Sequence, residues 1–415
     1  MTSEPRRGSA ALALVLALAA PLFSPSAVRS ADGPVASDPV FNVLTTDGST
    51  ASGRIRQFGP KGELTLVPTS GAERVLPIES VVKATRERLN ATSVPEPSAV
   101  LFPGGDRIYR TAIGAANETT LDVQSFSLGQ LSVPLESILG LVLALPTDSD
   151  ALDGLILKVR TEPRTSEALW LANGDKLTGG FLGLSDQSVE FQPAKEPVKL
   201  DRSGVVAVGF DPALVVYPKP PSGFYELTFS DGSRLGVTGL RVEQGQVLAT
   251  TRFGAAIKVP LGEVVRAHAR TPSVVYLSER EAAADRYVAY VGPPRPFQRD
   301  ANVEGHPMRI AGQDFDRGIG TQSRTLLAYL LEPGDRRFQA QVGLDDRAGP
   351  FGSVVFRVLV DNKERFVSPP MSARDTPRMI DLDVSGAKRL ILITEFGERG
   401  GVRDLADWGE ARIIR

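Results

Sequence analysis

Apolar and polar residues alternate in short runs along most of this chain, and between residues 40 and 272 the runs recur as four copies of one pattern. Each copy opens with an apolar strand that runs into a tight turn. The four openings are Val43-Leu44-Thr45-Thr46-Asp47-Gly48-Ser49, Val100-Leu101-Phe102-Pro103-Gly104-Gly105-Asp106, Leu169-Trp170-Leu171-Ala172-Asn173-Gly174-Asp175 and Leu227-Thr228-Phe229-Ser230-Asp231-Gly232-Ser233. Asp-Gly and Asn-Gly supply the positive φ that a two-residue hairpin turn needs. A period-two strand follows in each copy: Leu64 and Leu66, Leu121 and Val123, Val189 and Phe191, Val247 and Ala249. Then comes an apolar pair, with a proline in three copies (Pro77, Pro134 and Pro260), and a closing Val-Val or Ile-Leu. Such alternation marks half-buried strands, and the prolines mark strand edges.

The turn glycines Gly48, Gly105, Gly174 and Gly232 are spaced 57, 69 and 58 residues apart. Two β repeats therefore occupy 36–147, two more occupy 167–272, and the long middle gap leaves a linker at 148–166. In the linker Leu152, Leu155, Ile156 and Val159 sit near one helical face, which fits a short helix. Gly154 and the strand-like Leu155-Ile156-Leu157 count against it. About five short strands in roughly 45 residues suit a small barrel. The pattern is loosely similar to the Sm-like and SH3-like barrels. Paired turn acids at Asp106, Asp175 and Asp231 read either as a ligand row or as turn chemistry, and turn chemistry is favoured.

Residues 274–415 show a second pattern. Phe338, Ala340 and Val342 face in, as do Val354, Phe356, Val358 and Val360, and then Ile380, Leu382 and Val384. Leu390-Ile391-Leu392-Ile393 is apolar on both faces, which predicts a central, doubly covered strand. Gly, Pro, Asp and Asn turns separate these runs. Several short antiparallel strands in about 140 residues read as a jelly-roll-like β-sandwich. The whole chain is expected to be all-β: tandem small barrel-like repeats followed by a C-terminal sandwich.

Composition narrows the chemistry. Hydrophobic residues make up 42% of the chain and charged residues 23%, enough to build real cores. The formal net charge of -2 gives no electrostatic case for nucleic acid or anionic membrane. Cysteine is absent, so disulfides, thiolate catalysis and cysteine-based zinc sites are excluded. With only His268 and His306, a histidine-rich metal site is excluded as well. Residues 1–31 have the layout of a secretory signal peptide: Arg6-Arg7, an apolar run from Ala10 to Phe23, then small residues to Ala31. The run is shorter than the roughly 20 residues of a membrane span. The mature chain is expected to be exported, periplasmic or extracellular, with no membrane span once the signal is removed.

Four segments of the last third occur in a specific order: Arg317-Gly318-Ile319-Gly320-Thr321, then Gly343-Leu344-Asp345-Asp346, then Phe396-Gly397-Glu398, then Asp404-Leu405-Ala406-Asp407-Trp408. In that order they resemble the NPCBM/NEW2 family, a carbohydrate-binding module also found beside glycoside hydrolase family 98 enzymes. The resemblance runs from Val274 to Arg415. It implies a non-catalytic, exported glycan-binding protein with a glycan or glycoconjugate as partner. Gln322 and Leu405 stand where relatives often carry histidine. Losing those histidines favours the alternative, a scaffold whose repeats and sandwich bind proteins and no longer bind sugar.

Sugar sites combine an aromatic platform with polar groups that fork onto hydroxyls. The candidates are Gln322, Asp345, Asp346, Asp407 and Trp408, on loops expected to lie side by side. Trp408 reads either as platform or as core. Asp345, Asp346, Asp404 and Asp407 are candidate ligands for a structural calcium ion, or else turn caps. A glycosidase needs a carboxylate pair in a cleft. The signal, repeats and sandwich leave about twenty residues for a catalytic domain, too few for a fold of the usual size.

Overall fold

The computed structural model describes residues 39–87, 98–109, 111–117, 119–144, 146, 148–220, 223–288 and 295–415. The expected export segment at 1–31 and the first residues of repeat one, 36–38, lie outside the described residues. Among the described residues no helix is long and apolar enough to cross a membrane. The chain is all-β with antiparallel pairing throughout.

The four units share one order of elements. The first runs Val40–Thr45, Thr50–Phe58, Leu64–Pro68, Arg74–Leu76, a one-turn 3-10 helix Ile78–Ser80 and a closing strand Val81–Arg86. The matching 3-10 turns of the other units are Leu135–Ser137, Arg202–Gly204 and Leu261–Glu263, each just before its own closing strand; the second unit has one more, Pro103–Gly105, at its glycine turn. The turn glycines all have positive φ: +85° at Gly48, +84° at Gly105, +92° at Gly174 and +87° at Gly232. After the turn, every unit carries a bulge in its second strand or the equivalent, at Ile55/Gln57, Ile113/Ala116, Phe181/Gly183 and Thr238/Arg241. A bulge of this kind bends the strand and sharpens its twist. Next to it the recurring Gly53 and Gly179 let strands close in: a Cβ there would lie 2.5 Å from Val67 O and 2.1 Å from Gln192 O.

None of the units closes into a barrel, which corrects the barrel expectation. The reason lies in the closing strands. Val81–Arg86 pairs with its own first strand on one edge and with Val264–Arg270 of the fourth unit on the other, Ala84 opposite Ala267. Gly140–Val142 of the second unit likewise pairs with Val205–Gly209 of the third. A strand has two edges, and here the second belongs to a neighbour. The units thus share one continuous core, which runs from Phe41 through Phe102, Phe191 and Phe229 to Ala269.

Between the second and third units lies helix α1, Ser149–Thr161. The Asp148 carboxylate accepts from Ala151 N at 2.8 Å and caps it. Ile156 and Val159 pack on Leu101, Val142, Trp170 and Ala207, the outer side of the joined closing strands.

The last third is a sandwich of two sheets. One runs Gln298–Arg299, Gly318–Thr321, Ala406–Ile414, Arg337–Leu344, Arg378–Asp383, with Val274–Tyr276 also on Ala406–Ile414. The other runs Ala284–Tyr287, Thr325–Leu330, Arg389–Phe396, Val354–Val360, Lys363–Val367. Arg389–Phe396 is central, as its double apolar face requires. Phe338, Phe356, Leu392, Trp408 and Ile413 fill the space between the sheets.

The outer face of the first sheet is charged yet buried, because it rests on the repeats. Glu410, 3% exposed, pairs with Lys83 at 2.5 Å and Arg412 at 2.9 Å, and lies 3.6 Å from His268. Arg317 pairs with Glu226 of the fourth unit at 2.7 Å and with Asp300 at 2.9 Å. Burial alone would raise the pKa of Glu226, but the guanidiniums of Arg317, Arg270 and Arg234 outweigh it and hold the carboxyl down at about 2.

Candidate functional site

Three loops meet at one end of the sandwich, and Asp404 pins them together. Its Oδ1 accepts from Ser353 N at 2.9 Å, and its Oδ2 accepts from Ser323 Oγ. Asp345 N donates to Leu405 O at 2.9 Å, Arg399 Nη1 to Pro350 O, and Arg403 Nη2 to Arg347 O. The segments carrying Asp345-Asp346 and Asp404 to Trp408 are therefore neighbours, and Gln322 leads out of the strand Gly318–Thr321 beside them.

Trp408 is not in a loop and not at the surface. It belongs to Ala406–Ile414, the central strand of its sheet, between Ile319 and Val342. Its side chain is 0% exposed, edge-on to Phe356 at 5.2 Å, and its Nε1–H donates to Thr394 Oγ1 at 3.1 Å. A ring closed in on all sides cannot stack on a sugar, so the platform reading of Trp408 is corrected to core.

The acids divide by role. Asp345 Oδ1 accepts from Arg347 N at 2.9 Å and caps the 3-10 helix Asp346–Phe351, while its Oδ2 accepts from Arg309 N at 3.1 Å. Asp346 accepts from Gly312 N at 3.0 Å. Together they fasten the hairpin Met308–Ile310 and Gln313–Phe315 over the outer face of the sheet. There Gly343 and Gly409 make room, since a Cβ at either would lie 2.4 Å from Ile310 Cγ2 or Phe315 Cδ1. Asp407 lies on that covered face. Both its oxygens are buried without a hydrogen-bond partner. Burial, then the neighbouring Asp345 carboxylate, raise its pKa well above the usual range. A proton or a cation is the physical way to relieve such a pair. The four acids do not converge on one point: among the described residues no group of three or more His, Asp or Glu side chains is placed to hold a metal ion. Side-chain donors for calcium come down to the pair Asp345 and Asp407, fewer than the six to eight oxygens that ion takes, so backbone oxygens would have to supply the rest.

What the end of the sandwich does expose is Phe351, at 60%. It sits in the same loop as Asp346, between Gly349-Pro350 and Gly352. At the same end are half-buried Gln322, whose Oε1 is buried without a partner, and exposed Asp346, Arg399 and Arg403. Phe351 did not figure among the candidates. An aromatic ring set in a Gly/Pro turn, with no strand to bury it, is the signal that marks it.

Residues 267–414 match the NPCBM/NEW2 domain. The NPCBM/NEW2 match begins seven residues before Val274, inside the last strand of the fourth β unit. One curated relative is a Renibacterium salmoninarum protein named "Putative endo-alpha-N-acetylgalactosaminidase", 23% identical over 178 residues, which are 40% of this chain and 12% of that protein. The chain thus spans about an eighth of that relative's length. Among solved structures, the chain is similar to the CBM51 module of Clostridium perfringens GH95 in complex with methyl-galactose. There the identity is 27%, covering 34% of this chain and 99% of that one, with a TM-score of 0.32. It is also similar to the tandem CBM51 modules of a family 98 glycoside hydrolase from Streptococcus pneumoniae SP3-BS71, at 15% identity, 62% and 90% coverage and a TM-score of 0.31.

Proposed function

We propose that the chain is an exported, non-catalytic carbohydrate-binding protein whose NPCBM/NEW2 domain takes a glycan at the loop end of the sandwich. The observation that carries this reading is the match of residues 267–414 to a family of carbohydrate-binding modules. The geometry supports it. Phe351 offers an open apolar face, and Gln322, Asp346, Arg399 and Arg403 bring donors and acceptors to the same end, the combination that sugars need. Asp345, Asp404, Asp407 and Trp408 act beneath this surface, shaping the loops. The Asp345–Asp407 pair is the place for calcium. Export rests on the layout of residues 1–31.

Two carboxylates where the sandwich rests on the repeats do not suit acid catalysis, whereas burial and the neighbouring Glu226 raise the pKa of Asp106. A glycosidase general acid must hold a proton near neutral pH. Glu226 is kept ionised by three guanidiniums, and Asp316, beside Arg234, Arg266 and Arg107, has its pKa lowered as well.

The test is a glycan array with the full chain and its Phe351→Ala variant. Wild type should retain a defined set of glycans, and the variant should lose most of that signal with an unchanged melting temperature. Binding that survives the substitution moves the site elsewhere. An array on which wild type is blank favours the scaffold alternative.

A further inference from the structure

A cavity of about 700 Å³ lies between the second and fourth β units, helix α1 and the opening loops of the sandwich. Eight cationic side chains face it against five carboxylates, in a chain whose formal net charge is -2. The positive excess is therefore local. Several of those acids are already engaged. Arg317 takes Glu226 and Asp300, and Arg266 takes Asp316 at 2.6 Å.

One guanidinium has no ion pair among the described residues, and a second has only long ones. Arg160 reaches in from the last turn of α1. Its Nη2 donates to Gly105 O at 3.3 Å, its Nε is buried without a partner, and among the described residues it makes no ion pair. Arg234 is 3% exposed, with Asp106 and Asp316 no closer than 3.9 Å and its Nε unpartnered. Its Nη2 donates to Gly104 O at 3.2 Å. The glycine turn of the second unit admits both. A Cβ at Gly105 would lie 2.0 Å from Arg234 Nη2. At the rim, Lys219 and Arg299 are exposed and make no ion pair among the described residues.

Arg160 is half-buried, and a cation partly withdrawn from water without a counter-ion costs stability. Burial depresses the pKa of Arg160 to about 10, so it stays charged at neutral pH. The planar fork of a guanidinium matches the spaced oxygens of a carboxylate, sulfate or phosphate. The volume falls in the range of small-molecule sites, roughly 300–1,000 Å³.

We propose that this cavity binds a small ligand through an oxyanion group, with Arg160 and Arg234 on the oxyanion and Lys219 and Arg299 drawing it in at the mouth. The site uses residues other than those of the glycan-binding end, so it stands or falls separately. Two sources share the chemistry: an acidic sugar, or a free inorganic oxyanion.

The experiment is calorimetric titration and thermal melting of the full chain at low, constant ionic strength. The probes are sodium sulfate, sodium phosphate and sodium glucuronate, with galactose as the neutral control. At least one oxyanion should bind saturably and raise the melting temperature, and galactose should not compete. Glucuronate binding more tightly than phosphate and sulfate assigns the site to acidic sugars; the reverse order assigns it to the free oxyanion. Arg160→Gln should weaken binding about tenfold or more, the loss expected for a charge-assisted hydrogen bond. Without ligand, the same variant should melt no lower than wild type, because it sheds a half-buried charge that makes no ion pair. Arg299→Gln, at the exposed rim, carries little folding risk and should weaken binding by about threefold, an effect that added salt abolishes. No saturable response to any of the three oxyanions overturns the proposal. So does an affinity that both variants leave unchanged.

Discussion

Glu226→Gln should cost the folded chain about 3 kcal/mol at neutral pH, and that cost should fade in acid. The side chain is 3% exposed and lies 2.7 Å from Arg317 and 3.5 Å from Arg270. Its pKa falls from the ordinary 4.5 to about 2, and each unit is worth about 1.4 kcal/mol, which gives roughly 3–4 kcal/mol. Breaking a buried ion pair costs about 3–5 kcal/mol, and glutamine, which keeps the shape and one acceptor, belongs at the low end. The folded-state pKa lies below that of the unfolded chain. The carboxylate's contribution is therefore complete above about pH 4.5 and is lost as the pH falls through 2. Glutamine does not titrate there. The stability gap between wild type and variant should thus be flat from pH 5 to 8 and then shrink by about 1.4 kcal/mol per pH unit. Urea denaturation of both proteins at several pH values measures the gap. A gap below about 1 kcal/mol at pH 7, or one that is the same at pH 3 as at pH 7, would refute the view that net attraction to arginine holds this carboxylate charged.

Three further substitutions test other parts of the structure. Trp408→Ala should lower stability by about 3–5 kcal/mol, as deletion of a fully buried aromatic does; a melting temperature within error of wild type means the ring is not core. In EDTA, Asp407→Asn should stabilise the chain at pH 8 and change little at pH 4. Here the folded pKa is raised, so wild type keeps its stability while the carboxyl is protonated and loses it as pH rises. Parallel pH curves for the two proteins count against a protonated pair, and a melting rise with millimolar calcium in wild type alone assigns the pair to the cation. Gly174→Val should cost about 1–2 kcal/mol, since the +92° φ there suits no β-branched residue; an unchanged melt contradicts the turn.

The all-β class could be read in the sequence because alternation over Val354 to Val360 reports directly which face is buried, and the NPCBM/NEW2 resemblance rested on the ordered motifs from Arg317 to Trp408. Alternation does not report which strand lies alongside. Nothing local in Val81–Arg86 says that its free edge meets Val264–Arg270, so closed barrels were expected where the units in fact join. The strand Ala406–Ile414 escaped for another reason. Asp407, Glu410 and Arg412 are all buried, and they break the apolar pattern that marks a core strand. Charges that read as a loop lie against Lys83 and Asp345, residues far away in the sequence. Phe351 was missed because pattern reading looks for aromatics in strands, and its exposure depends on what the turn leaves uncovered.

The pairing of first unit with fourth and second with third makes the array indivisible. In a solenoid each repeat leans only on its sequence neighbours, so copies can be gained or lost at the ends. Here the two units farthest apart in the chain seal each other, across some 180 residues. Removing the fourth unit would bare an unpaired strand edge on the first, a ready template for aggregation. Chain synthesis meets the same constraint, since the first closing strand has no partner on its outer edge until Val264–Arg270 has been made. Long-range closures of this kind are slow to form. Losing any one copy would leave the closing strand of another with an open edge.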